Sequence, residues 1–344
     1  MSRDIDFPPL ENGLDYLSDA VGRLAATPSP RDLKYAVLHL HAGVEVLLKY
    51  RLICEDWHLI LEDSKDDESP EVTEEDYEAG RFRSIGINKA IKRLKTIHGI
   101  TITSGQKNAA AALDGFRNQL QHHGLTSTAE AVEAQAAKVL GFILDFIDTY
   151  ITPEIHLTDV DQQVLADAMP DIRTAVGTVT ALVDQRMQRL RPVLDREWTA
   201  WCTDCGLLAV LLESEPVDQP HGQPDYRARC AFCTARWDSR ADYVSDFTGS
   251  RLGLSGHYEA MMNGGNPPTE PCPECGADMV ALFDQATGEP GPNLSGVCFS
   301  CGCEFNDHCA RCDIHVNNPL PDTVDDEGVP CDNSMLCGDC LDDL

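Results

Sequence analysis

Arg117-Asn118-Gln119-Leu120-Gln121-His122, followed at once by His123 and Gly124, is the one stretch of this 344-residue chain whose side chains suit covalent chemistry. An arginine fork can hold a phosphate in two-point contact. A histidine titrating near neutrality can move a proton at the same place. On an ideal helix Arg117 shares a face with Gln121 and Asn118 shares one with His122, whereas Arg117 and His122 diverge by about 140°. A break at Gly124 or a second chain must therefore help to bring the pair together.

A second polar group has a matching period. His41, Glu45 and Lys49 stand at i, i+4 and i+8 among Leu33, Val37, Leu40, Val44, Leu47 and Leu48, and form one stripe on a helix otherwise rich in buried-type residues. Two placements are open. The stripe is either an exposed face with a Glu-to-Lys pair in its favourable orientation, or a face turned toward the helix of Arg117 to His122.

The elements that must position these groups are helices. Leu10, Leu14, Leu17, Val21 and Leu24 predict an amphipathic helix ending before Thr27-Pro28. Ser29-Pro30-Arg31-Asp32 supplies an N-cap, a proline at N1 and an acidic N3 residue for a second helix reaching about Cys54. Thr103 or Ser104 begins the helix that carries Arg117, with Gly124 as its C′ residue. Ser127-Thr128-Ala129-Glu130 reads as a capping box for a helix carrying Val139, Ile143, Phe146 and Ile147 to about Ile151.

Between these lie ten acidic residues from Glu62 to Glu78, expected to form a solvated loop. The basic stretch Arg81, Arg83, Lys89, Lys92, Arg93 and Lys95 follows; it is the only concentrated positive charge and the leading candidate surface for RNA. Five helices with short connections imply an all-α up-and-down bundle over residues 1–155. Residues 156–196, with Leu165, Met169, Ile172, Val176, Val179, Val183, Met187, Leu190 and Leu194, read as a helical connector packed on the bundle or on a partner chain. Pro170 and Pro192 argue against one uninterrupted coiled coil there.

Of fifteen cysteines, Cys54 stands alone and fourteen follow Trp201, mostly in Cys-x-x-Cys pairs. Cys202-x-x-Cys205 is followed after 24 intervening residues by Cys230-x-x-Cys233, and Cys272-x-x-Cys275 after 22 by Cys298-x-x-Cys301. Two such knuckles, each on a tight turn suited by Gly206 and Gly276, meet to give tetrahedral Zn(Cys)₄. Residues 197–240 and 265–306 are thus expected to be zinc ribbons, with Leu207 to Leu212 and Met279 to Phe283 as short strands. A third module, 307–344, offers Cys309, Cys312, Cys337 and Cys340, with Cys303, Cys331 and His308 competing for a place. About three structural Zn²⁺ per chain are expected, each with four sulfurs and no open position for water.

Neither a signal peptide over Met1 to Leu10 nor a run of roughly 20 apolar residues is visible, so a cytoplasmic protein without a membrane span is the expectation. From Arg196 onward 26 acidic residues face seven arginines and no lysine, a net charge of −19 within a chain of −30. Binding of nucleic acid rests on neutralising phosphates with cations. The cysteine-rich half is therefore a poor nucleic-acid clamp; its acidic load either keeps the chain in solution or offers a surface to a protein partner.

Taken together, the helical bundle, the Leu-His-x-x-x-Glu-x-x-x-Lys pattern of the second helix and Arg-Asn-x-x-x-His before the final helix resemble a HEPN domain over roughly residues 10–152. That superfamily is rich in RNA-cleaving toxins and defence proteins, phage defence included. The resemblance implies metal-independent RNA cleavage by a homodimer whose two motifs face each other across a shared cleft. It implies that Arg117 holds the scissile phosphate, Asn118 orients it, His122 serves as general acid or base, and Glu45 and Lys49 position or polarise these groups. His123 is an added histidine able to assist. Because HEPN domains also serve as docking units, a noncatalytic binding or assembly module is the alternative.

Overall fold

The computed structural model describes residues 5–62, 72–153, 157–196, 198–218, 224–263, 267–272, 274–290, 294–305, 307–308 and 315–316. Its main division falls between Arg191 and Pro192, giving a helical unit and a cysteine-rich unit.

The helical unit is built around one long element. α1 (Pro9–Leu24) leads to α2 (Pro30–Ile53), which opens on a capping box formed by Ser29 and Asp32 with Pro30 in the first turn. A 3₁₀ turn (Trp57–Ile60) and a short α3 (Glu74–Glu78) follow, the latter inside the acidic stretch expected to be loop. Its Thr73–Asp76 capping box uses two residues of that stretch, so acidic composition and helix initiation coincide here. α4 (Ile87–His98), α5 (Ser104–His122) and α6 (Ala129–Phe146) then pack around α2. Thr103 caps α5 through a box with Gln106, and α5 ends with Gly124 at φ +93°. Thr128 alone caps α6: its N3 position is Ala131, whose methyl cannot accept the N-cap N–H, so the box read from Ser127 to Glu130 does not form.

α2 buries most of its circumference, including Leu33, Val37, Leu40, Val44, Leu47 and Leu48, which is why it can serve as the axis of the unit. Its crossing with α1 is close. A Cβ on Gly43 would lie 3.1 Å from the Gly13 carbonyl oxygen and 3.3 Å from the Leu17 nitrogen. Alanine normally gains about 1 kcal/mol over glycine inside a helix. Here the obstructing atoms are backbone of a hydrogen-bonded helix and cannot yield cheaply, and overpacking costs about 1–3 kcal/mol. Gly43→Ala is expected to lower stability by up to about 2 kcal/mol net, read as a lower melting temperature of the helical signal.

The connector consists of α7 (Asp159–Val176) and α8 (Thr180–Leu194), and α7 packs against α1. The break lies at Gly177 to Val179 and not at either proline; Pro170 and Pro192 sit inside the helices. Among the described residues no helix is long and apolar enough to cross a membrane.

The cysteine-rich unit contains two four-stranded antiparallel sheets in simple sequence order, β1 (Thr199–Trp201) to β4 (Arg236–Trp237) and β5 (Glu270–Pro271) to β8 (Glu304–Phe305). The central strands are β2 (Leu208–Asp218) with β3 (Pro224–Cys230), and β6 (Asp278–Asp284) with β7 (Leu294–Cys298). The segment between the ribbons, unassigned by motif, forms α9 (Arg240–Asp246) and joins them. Tyr243 meets Phe299 of the second ribbon edge-to-face and Phe247 meets it at a tilt, at ring distances of 5.5 and 5.2 Å, and Tyr243 also meets Trp237 of the first edge-to-face at 5.0 Å. Arg240 and Arg251 donate to backbone carbonyls of Ser300, Thr287, Gly288 and Cys202. The two ribbons thus share one aromatic core.

Candidate functional site

α2 and α5 place the two polar groups on facing surfaces. His41 is buried, with 5% of its surface exposed, and its Nε2 lies 2.9 Å from Oδ1 of Asp114 on α5. Lys49, also buried, donates to Glu45 Oε1 at 2.5 Å and to Ser84 Oγ at 2.9 Å. On α5 the Arg117 Nη1 donates to Asn118 Oδ1 at 2.8 Å, and the Asn118 amide donates to Asp114 Oδ2 at 3.4 Å. A cleft of about 320 Å³ runs between these helices and the start of α4. His41, Glu45, Glu62, Lys89, Asp114 and Arg117 line it.

Of the stripe, His41 and Glu45 take the placement that faces α5, whereas Lys49 turns to Glu45 and to Ser84. Arg117 and Asn118 are half-buried beside the stripe, whereas His122 and His123 are exposed at the end of α5 and do not line the cleft. Within one chain the arginine and His122 remain apart, as their angular offset on the helix requires.

Asp114 and Ser84 carry no motif and went unread. Asp114 stands four residues before Asn118, and that i, i+4 polar spacing was the available signal. Ser84 enters from a loop, and only the fold brings it to Lys49.

Half of the basic stretch is paired within its own unit. Arg81 pairs with Asp76 and Glu75, Lys89 with Glu62, and Arg93 donates to the carbonyls of Leu59 and Leu61. Arg83, Lys92 and Lys95 are exposed.

In the cysteine-rich unit the sulfurs of Cys202, Cys205, Cys230 and Cys233 lie within 4.8 Å of one another, as do those of Cys272, Cys275, Cys298 and Cys301. The Cys205–Cys230, Cys272–Cys301 and Cys275–Cys298 sulfurs are each 3.7 Å apart. A disulfide requires about 2.05 Å, whereas sulfurs about 2.3 Å from a central tetrahedral ion stand about 3.8 Å apart. The spacing is that of a metal-binding group.

All four knuckles share one fold. The N–H of the first cysteine donates to the carbonyl five residues on, at 2.8–2.9 Å for Cys202, Cys230, Cys272 and Cys298. The residue four after that cysteine has positive φ: Gly206, Gly276 and Gly302 at +72°, +72° and +77°, and Thr234 at +69°. A β-branched residue there stores strain on the order of 1–3 kcal/mol, which persists only where the surroundings over-determine the turn. In the second group burial raises the Cys275 thiol, but the Ala277 N–H and neighbouring thiols outweigh it and bring it down to about 7.

The third set, Cys309, Cys312, Cys331, Cys337 and Cys340, lies outside the described residues, as does the side chain of His308. Cys303 packs on the core of the second ribbon. Family models, curated proteins and solved structures contain no match to this chain.

Proposed function

We propose that the chain is a HEPN-type endoribonuclease that cuts RNA without a catalytic metal, with a C-terminal zinc-ribbon unit that recognises a partner or trigger. The observation that carries the reading is the cleft between α2 and α5, which His41 and Glu45 line opposite Asp114 and Arg117, with Lys49 bonded to Glu45 and Asn118 bonded to Arg117 behind them. Arg117 holds the scissile phosphate there and Asn118 orients the guanidinium. His122, exposed and outside the single-chain cleft, acts across the interface of a homodimer, where the partner's copy of the motif faces this one. The two tetra-cysteine groups hold structural zinc: four thiolates leave no position for a substrate. The −19 charge of this half suits a basic protein partner better than nucleic acid.

Purified protein offered several RNA classes is expected to cleave at least one of them equally with and without a chelator brief enough to spare the ribbons. His122→Ala should lower that cleavage by about 100-fold or more, in line with the loss of a general acid or base. Equal cleavage by His122→Ala, or none by the unaltered chain, overturns the reading.

The exposure of His122 favours one second reading, a noncatalytic docking module of the same fold. It predicts RNA or nucleotide binding that depends on Arg117, unchanged by His122→Ala, with no cleavage at all.

A further inference from the structure

Cleavage by a ribose 2′-hydroxyl needs two proton transfers. The 2′-oxygen loses a proton as its bond to phosphorus forms, and the departing 5′-oxygen gains one as its bond to phosphorus breaks. The products are a 2′,3′-cyclic phosphate and a free 5′-hydroxyl, with no net change in protons. One histidine acting once supplies half of this.

We infer that His41, oriented by Asp114, is the second proton-transfer group and protonates the 5′-oxygen that leaves; the inference rests on the ribonuclease reading above. His41 lines the same cleft as Arg117 and is buried within α2, so its ring is held by packing. Asp114 Oδ1 engages Nε2 at 2.9 Å. Nδ1 lies 4.0 Å from Oε2 of Glu45, another residue of the cleft wall and beyond hydrogen-bond distance, and in this scheme it is the ring nitrogen that meets substrate.

The same Asp114 carboxylate accepts from Asn118, whose Oδ1 takes the Arg117 Nη1. One chain of contacts, His41–Asp114–Asn118–Arg117, therefore fixes the spacing between the group that moves the proton and the fork that holds the phosphate. Asp114 is a positioning residue in this scheme. Burial alone would also call for a partner on the His41 ring; what the scheme adds is the place of His41 in the wall of the cleft that Arg117 lines.

The test uses the full-length protein. Total cellular RNA is digested, one scissile bond is mapped, and an oligonucleotide spanning it is made in two forms, native and with sulfur replacing the bridging 5′-oxygen. A sulfur leaving group departs without being protonated. His41→Asn is expected to cut the native oligonucleotide at least about 100-fold more slowly than the unaltered chain and the thio form within about tenfold of it. His122→Ala should be slow on both. Asp114→Asn should follow His41→Asn in its recovery with the thio form.

An equal loss on both forms would mean that His41 only supports the fold, and an undiminished native rate would remove it from the reaction. Either result overturns the inference while leaving the ribonuclease reading intact. No cleavage of total RNA by the unaltered chain overturns both.

Discussion

Cys230→Ser is expected to unfold both ribbons while leaving the helical unit in place. Cys230 is fully buried at the end of β3, where its backbone pairs with Val210 and its sulfur faces Cys205 at 3.7 Å. The core around the second metal-binding group shows why the sulfurs matter so much: its fully buried members are Cys272, Val280, Cys298 and Phe305. Two of the four belong to the four-sulfur group itself. Strands such as β4, β5 and β8, two residues each, cannot hold such a unit together unaided. Structural zinc can supply on the order of 10–16 kcal/mol to folding, and a serine hydroxyl does not replace a thiolate.

Loss at the first site should spread to the second, because Tyr243, Phe247 and Phe299 form a shared core between them. Three of the four tryptophans, Trp198, Trp201 and Trp237, lie in this unit. Their fluorescence and near-ultraviolet dichroism should collapse in Cys230→Ser, or when a strong chelator is added, while the helical signal at 222 nm stays. An unchanged tryptophan signal after metal removal would show that the four-sulfur groups do not hold the unit.

The helices were legible because their ends are written in local chemistry. Ser29 with Asp32 needs only four residues of sequence to state where α2 begins, and Thr103 or Ser104 marks the start of α5 in the same way. The cysteine knuckles were legible for the same reason, since each is a closed turn of six residues. What escaped is whatever depends on distant partners. Asp114 has meaning only once α2 lies beside α5, and the aromatic residues that join the ribbons are scattered from Trp198 to Phe299 with no repeating interval.

The position of the connector break was missed for a different reason. Pro170 has its ring on a helix whose preceding turn tolerates the lost hydrogen bond, whereas Gly177 takes the C-cap and starts the reversal into α8. Proline weakens a helix but need not end it. The polar stripe on α2 was visible from its period, and its direction was not: a Glu–Lys pair at i, i+4 looks the same whether water or another helix covers it.

Burial is what makes that pair informative, and the two partners differ in it. The Lys49 side chain is 10% exposed and that of Glu45 28%. Removing Glu45 strands an ammonium in the interior with Ser84 as its remaining partner, and breaking a buried pair in this way costs about 3–5 kcal/mol. Because Glu45 is part-exposed, Glu45→Ala should fall at the lower end, about 3 kcal/mol. Lys49→Met leaves a carboxylate that water can reach and puts an apolar chain where the lysine stem packed, so its cost should be about 1 kcal/mol or less. The double variant Glu45→Gln with Lys49→Met should return near the stability of the unaltered chain, since replacing both charges removes the desolvation cost along with the attraction. Thermal melts of the three proteins measure this asymmetry; equal losses in both single variants would mean that the pair is solvated. Under the ribonuclease reading the double variant also separates folding from function: a protein that melts normally yet has lost RNA cleavage by at least tenfold would tie the charges of α2 to the chemistry at Arg117, and retained cleavage would reduce them to scaffold.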